Sequence, residues 1–166
     1  MVDLVIKSVT ASMCQRVYRL WGRVLFRGAC DLYDRDLLCD GPGSHGGVKG
    51  NQKKFVPEDG QILKKTTVSF TTGESVFDIL KTICGEKGIQ ISSKYTPLYD
   101  SYYVEGINQL YELDCGKNSG WMYSVNGTFP NYGASAYKPK DGDVILWVYT
   151  CDLGNDVGNP YQGDEK

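Results

Sequence analysis

The sequence contains a single histidine, His45, in 166 residues, and this scarcity excludes a metal centre built on several histidines. Its six cysteines never stand in a C-x-x-C pair, so neither a zinc ribbon nor a thioredoxin-type motif is indicated. No segment approaches the roughly 20 apolar residues of a membrane-spanning helix. The net charge of −2 leaves no electrostatic footprint for nucleic acid.

The first 30 residues also lack the uninterrupted apolar core of a secretory signal, because four arginines divide them. Apolar side chains recur at helical spacing over 17–25, which fits an amphipathic helix, an ordinary surface helix or a disordered leader. Residues 30–60 are rich in glycine and show little periodicity. We therefore predict that residues 1–56 form an irregular, poorly ordered N-terminal extension.

Glycine and tyrosine are abundant, with 20 and 12 residues respectively. This combination is typical of a loop-rich β protein with amphipathic aromatic surface. Five of the tyrosines crowd one segment, where they either face water as ordinary sheet residues or line a cleft for a planar ligand: Tyr95, Tyr99, Tyr102, Tyr103 and Tyr111.

Regular structure is predicted from Pro57 onward. A strand is expected within 62–70, followed by a helix from Val76 whose apolar residues share one face. Thr72 or Ser75 is suited to cap its start, and Gly88 to end it in a left-handed conformation. Short strands are expected at 89–91 and 102–104.

The stretch 120–150 predicts a hairpin followed by a closing strand. Apolar and polar residues alternate over 121–125, and Asn126-Gly127 is a strong two-residue hairpin signal, with a return strand expected at Thr128 and Phe129. The apolar run 144–149 predicts a central strand that is buried on both faces. Together these elements predict an α+β fold of the β-grasp type, a mixed sheet packed on a single helix over 57–152, with a flexible tail at 153–166.

Two segments carry a family resemblance: GESVFDILKTICGEKGIQI and SGWMYSVNGTFPNYGASAYKPKDGDVILWVYT. They resemble the transcobalamin C-terminal-like domain family of bacterial surface proteins, whose diverged relatives occur in vertebrate cobalamin carriers. The resemblance covers about 57–152 and implies a β-grasp fold, a location outside the cell or at its surface, and cobalamin as a candidate ligand. It also implies an N-terminal strand. The equivalent segment 30–39 does not have the residue pattern of a strand. Either that strand is missing, or residues 1–48 come from a wrong start or a shifted reading frame.

The resulting functional hypothesis is a non-catalytic domain that binds a small molecule or a surface protein. A single histidine in a glycine-rich loop gives little support for a nucleophile–base pair. The predicted contact surface consists of hairpin and loop residues whose exposed aromatic rings would be covered by a ligand: Trp121, Tyr123, Asn126, Phe129, Tyr132 and Tyr137.

Two rival functions remain. Cys115 and Cys151 lie at predicted strand ends, where they could form disulfides with Cys30 and Cys39, or bind a metal ion as thiolates. A metal-binding or redox-active domain is therefore the first alternative. A structural spacer in a surface assembly is the second.

Overall fold

The computed structural model describes residues 1–8, 57 and 60–159. The predicted helix at 17–25, His45, Cys30 and Cys39 lie outside these residues. The described elements follow the order β1 (Val2–Lys7), β2 (Gln61–Val68), α1 (Val76–Lys87), β3 (Ile91–Thr96), a 3₁₀ helix (Pro97–Tyr99), β4 (Ser101–Ile107), β5 (Leu110–Tyr111), β6 (Gly120–Val125), β7 (Val144–Thr150) and a second 3₁₀ helix (Asn155–Val157).

The strands form two sheets. The larger has the order β2-β1-β7-β6, with β1 and β7 parallel and the outer pairs antiparallel. The smaller has the order β3-β4-β5 and is antiparallel. Among the described residues α1 is the single α-helix, so the predicted α+β class is confirmed. The parallel pair at the centre of the larger sheet is the arrangement expected of a β-grasp fold.

Strand β1 corrects the predicted N-terminal extension. Residues 2–7 lie at the centre of the larger sheet, where β1 pairs with β2 on one side and with β7 on the other. Val2, Leu4 and Ile6 alternate along the strand and are buried in the core. These residues therefore belong to the domain, and the prediction of an irregular, poorly ordered extension was wrong for residues 2–7.

Helix α1 begins and ends as its sequence predicts. Ser75 is the N-cap: its Oγ accepts from Asp78 N–H at 3.2 Å, and Asp78 Oδ2 accepts from Ser75 N–H at 2.8 Å. This reciprocal pair is a capping box. Gly88 ends the helix at φ 66°, in the left-handed region that glycine adopts without steric cost. The buried face of the helix joins the core through Val76, Phe77, Ile79, Leu80, Ile83 and Cys84.

The hairpin after β6 is shorter than predicted. Asn126 and Gly127 both have positive φ, as a tight two-residue turn requires, and Val125 and Thr128 exchange backbone hydrogen bonds of 2.8 and 3.0 Å. The predicted return strand was wrong, because Val125 and Thr128 form only an isolated bridge. Strand β6 instead pairs along its length with β7, which lies between β1 and β6 as the predicted central strand.

The chain beyond β7 packs on the domain as far as residue 159. Asp156 accepts hydrogen bonds from the Thr150 hydroxyl and from Cys151 N–H, the latter at 2.8 Å. Leu153 N–H donates to Asn118 O at 3.0 Å. Residues 153–159 were predicted to belong to a flexible tail, and these bonds tie them to β7 and to the loop before β6.

Candidate functional site

The predicted aromatic loop, residues 129–137, is fixed against the start of α1. Val76 N–H donates to Tyr137 O at 3.0 Å, and Phe77 N–H donates to Ala134 O at 3.2 Å. The first turn of a helix has amide groups without an intrahelical partner, and here the loop carbonyls satisfy two of them. The loop conformation is therefore set by the helix and does not depend on a return strand.

Tyr132 is the exposed ring of this loop. Its side chain is 55% exposed and stacks on Tyr137, with ring centroids 5.7 Å apart and planes within 11°. Its carbonyl accepts a hydrogen bond from the Tyr123 hydroxyl at 2.7 Å. Tyr132 thus presents an aromatic surface to solvent from a backbone that is anchored underneath.

Trp121 and Tyr123 are both buried on β6, and Tyr123 lies beneath this surface. They are 6% and 8% exposed, because their strand turns this face toward the core. Trp121 Nε1–H donates to Leu110 O at 2.8 Å, and its ring meets Tyr149 edge-on at 5.3 Å. Burial raises the pKa of Tyr123, with smaller contributions from Tyr132 and Tyr137. Our expectation that the Trp121–Tyr123 strand offers an outward aromatic face was wrong; both rings pack in the core.

Asn126 and Phe129 have different surroundings. Asn126 Nδ2 donates to Asp143 Oδ1 at 2.8 Å, and its Oδ1 accepts from Val144 N–H at 2.9 Å. Its polar side chain is therefore engaged in joining the hairpin turn to the start of β7. Phe129 is half-buried at the beginning of the loop. Of the six predicted contact residues, Tyr132 combines an aromatic ring with high exposure.

The smaller sheet meets the loop through Tyr102. Its N–H donates to Ser135 Oγ at 3.0 Å, and its ring stacks on Phe77 with centroids 4.7 Å apart and planes within 4°. Gly133 approaches the same strand so closely that an added Cβ would lie 1.9 Å from Ser101 Oγ. The loop, the start of α1 and the start of β4 thus form one connected region.

Tyr95 and Tyr102 are the aromatic residues of this region that the predicted contact surface did not include. They are paired across β3 and β4, are 45% and 43% exposed, and their ring centroids lie 5.4 Å apart. The crowding of tyrosines over 95–111 was the available signal. It did not distinguish half-buried sheet residues from a binding surface.

The described cysteines occupy three environments. Cys84 carries a free thiol on the buried face of α1, and burial raises its pKa to about 12. Cys115 is buried, and its N–H donates to Ser119 Oγ at 3.1 Å. Cys151 is half-buried with a free thiol. Within residues 1–8, 57 and 60–159, no group of three histidine, cysteine, aspartate or glutamate side chains is placed to hold a metal ion.

The chain was compared with protein families, curated proteins and solved structures. The family described as "Domain of unknown function (DUF4430)" matches residues 73–151, which include α1, the Asn126-Gly127 turn and β7. No curated protein matches the chain. A crystal structure of a "putative metal binding protein" from Ruminococcus gnavus ATCC 29149 is similar over 90% of this chain and 94% of that one, at 9% identity and a TM-score of 0.42.

At that score the structural likeness carries no argument about this chain. No helix in the described ranges is both long and apolar enough to cross a membrane. Residues 73–151 are thus similar to a family of unknown function, and this match lies within the segment that carries the transcobalamin-like resemblance.

Proposed function

We propose that this protein is a non-catalytic ligand-binding domain whose contact surface is the aromatic loop 129–137, centred on Tyr132. The observation that carries the proposal is the exposure of a ring that is held in place from below. An exposed aromatic ring is a common anchor at binding surfaces. Anchoring reduces the ordering cost of binding, because the ligand need not immobilise a mobile segment.

The groups around Tyr132 support its ring from below. Burial raises the pKa of Tyr123, so its hydroxyl stays protonated at neutral pH and donates a hydrogen bond to Tyr132 O. The Tyr132 ring stacks on Tyr137, so the loop presents this ring on a fixed base.

The ligand we propose is cobalamin or a related small molecule, and the location is the bacterial cell surface. Both follow from the transcobalamin-like resemblance. A large planar or amphipathic ligand suits an exposed tyrosine, because the ring offers apolar area together with a hydroxyl group. A surface-protein partner would use the same anchor.

The two alternatives stay predictions. A metal-binding or redox-active role for Cys115 and Cys151 is the first, and no ligand cluster among the described residues favours it. A structural spacer would need no exposed aromatic anchor.

Isothermal titration calorimetry on the full chain tests the proposal, with cobalamin, a set of glycans and a set of peptides as titrants. Replacing Tyr132 with alanine is expected to weaken binding by about tenfold or more, the usual effect of truncating an interface anchor. Tyr99→Ala is the matched control, because Tyr99 is 73% exposed on the 3₁₀ helix between β3 and β4. Binding that survives Tyr132→Ala unchanged, or heat absent for every titrant, contradicts the proposal.

A further inference from the structure

The β3–β4 hairpin carries a pair of tyrosine rings next to a carboxylate. Tyr95 and Tyr102 stand opposite each other across the two strands, with ring planes tilted by 59°. The Tyr95 hydroxyl donates to Asp100 Oδ1 at 2.6 Å. Asp100 ends the intervening 3₁₀ helix in a left-handed conformation, at φ 43°. Both rings and the carboxylate therefore belong to one hairpin end.

Both rings are held before any ligand arrives. Phe77 is buried and stacks on one side of Tyr102, so the exposed surface of Tyr102 is its outer face and edge. Asp100 fixes the orientation of Tyr95 through the hydroxyl. A surface whose rings are already oriented loses little conformational entropy on binding.

The electrostatic character of this corner is negative. Aromatic faces carry negative quadrupole potential, and Asp100 adds a full charge beside them. The pKa of Tyr95 is raised by its hydrogen bond to Asp100, with smaller effects from burial and from the charges of Asp100 and Tyr102. Lys94 precedes Tyr95 in the strand and pairs with Tyr103, so its side chain leaves the other face of the sheet.

We propose that Tyr95, Tyr102 and Asp100 form a binding site for a small organic ammonium group, of the quaternary type found in choline. A cation is attracted to a tyrosine face when it lies within about 6 Å of the ring centroid. Because the centroids are 5.4 Å apart, a cation that sits between the two rings can lie within that distance of both. The site differs from the aromatic loop and stands whether or not Tyr132 binds a ligand.

The negative charge of Asp100 favours an organic ammonium ligand over a neutral sugar. A sugar would stack on the same rings but would gain little from the full charge of Asp100. A quaternary ammonium cannot donate a conventional hydrogen bond, so it depends on aromatic faces and a nearby negative charge, which this corner supplies together.

The test is a titration of the ¹⁵N-labelled full chain followed by NMR, with choline and its neutral isostere 3,3-dimethylbutan-1-ol as probes. Choline is expected to shift the amide signals of Tyr95, Asp100 and Tyr102. The isostere is expected to bind at least about fivefold more weakly, because one exposed cation–π contact contributes up to about a fivefold gain in affinity. Equal affinities for the two probes, or no shift with choline, overturn the proposal. So does a methyl glucoside that binds here more tightly than choline.

Two variants separate charge from shape. Asp100→Asn keeps an oxygen that accepts from Tyr95 and tolerates positive φ, so it removes the charge alone. It is expected to weaken choline binding by about three- to fivefold, in line with an exposed electrostatic contact. Tyr95→Phe keeps the ring but loses the hydrogen bond that orients it, so it is expected to weaken binding less than Tyr95→Ala, which is expected to abolish most of it. Unchanged choline affinity in Asp100→Asn or Tyr95→Ala refutes the site.

Discussion

Replacing Gly133 with alanine directly tests how the aromatic loop is seated against β4. The added Cβ would lie 1.9 Å from Ser101 Oγ and 2.6 Å from Ser101 Cβ. Real Cβ atoms essentially never approach a heavy atom so closely, so the loop or the strand must move. Gly133 is not among the residues with positive φ, so this clash, and not backbone strain, is the expected cause of any destabilisation.

The size of the effect follows from which atoms of Ser101 remain. Forcing extra volume into packed structure costs typically about 1–3 kcal/mol, so Gly133→Ala is expected to lower the free energy of unfolding by about 2 kcal/mol. Ser101→Ala removes the 1.9 Å contact but leaves the 2.6 Å contact, so it relieves only part of the loss. Ser101→Gly removes both contacts, at its own cost of about 0.5–1 kcal/mol for glycine in a strand.

Urea denaturation of the single and double variants, combined in a double-mutant cycle, measures the coupling energy between positions 133 and 101. The double variant Gly133→Ala, Ser101→Gly is expected to be more stable, by about 1 kcal/mol or more, than the sum of the two single effects predicts, because the two side chains compete for one space. Ser101→Ala alone is the control and is expected to be neutral or slightly stabilising, because its buried hydroxyl has no hydrogen-bond partner among the described residues. Gly133→Ala within about 0.5 kcal/mol of the unsubstituted protein would refute the close packing of loop on strand.

Three further predictions concern the helix, the turn and a thiol. Ser75→Ala removes the Oγ half of the capping box and is expected to cost about 1–2 kcal/mol in thermal denaturation. Burial raises the pKa of Asp78, but the hydrogen bonds from Ser75 outweigh it, and the net pKa is lowered. The stability that these hydrogen bonds contribute is present above the unfolded-state pKa and is lost as pH falls through the lower folded-state pKa. In Ser75→Ala, less stability should be lost on acidification. Asn126→Asp would set a second carboxylate against Asp143 in place of the 2.8 Å amide bond, so the variant should be destabilised at pH 7 and recover partly near pH 4. Cys84 should resist iodoacetamide at pH 8 in the folded protein, because burial raises its pKa to about 12, and react once urea unfolds the chain.

The helix and thiol predictions each have a matched control. Thr72→Ala changes an exposed residue just before the cap and should leave the melting temperature unchanged. An equal loss in both alanine variants would contradict the assignment of Ser75 as the cap. Cys151 is a half-buried free thiol and should be alkylated before Cys84, so the reverse order, read by peptide mass spectrometry, would contradict the burial of Cys84. An Asn126→Asp variant as stable at pH 7 as the parent would contradict the turn contact.

Local signals predicted the helix well. The apolar face, the capping serine and the terminal glycine of α1 all lie within 75–88, so short-range chemistry determines both ends. The turn at Asn126-Gly127 was predicted for the same reason. Its return strand was not formed, because the loop that follows bonds to the amides of Val76 and Phe77, about 60 positions earlier in the chain.

Long-range pairing explains the principal error. The alternation of Val2, Leu4 and Ile6 is present in the sequence, but the strand takes its place only through β2 and β7, whose residues lie about 60 and 140 positions away. Six residues with such distant partners give a weak local signal beside a basic, glycine-rich neighbourhood.

The residues of the candidate site were predicted only in part, because their exposure also depends on contacts between distant segments of the chain. Alternation over 121–125 separates two faces of β6 but does not say which one meets the core. Trp121 and Tyr123 were therefore expected to be exposed, whereas both pack inward, and Tyr123 supports the loop through its hydrogen bond to Tyr132 O. Tyr132 lies in an irregular segment whose exposure depends on the contacts of its neighbours with α1.

We propose that this domain meets its ligand at the anchored loop around Tyr132. The most direct measurement is NMR shift mapping of the labelled full chain with cobalamin, or with whichever titrant produces heat in calorimetry. The largest shifts are expected within residues 129–137 and should include the ring signals of Tyr132. A ligand that binds while leaving those signals unmoved would contradict it.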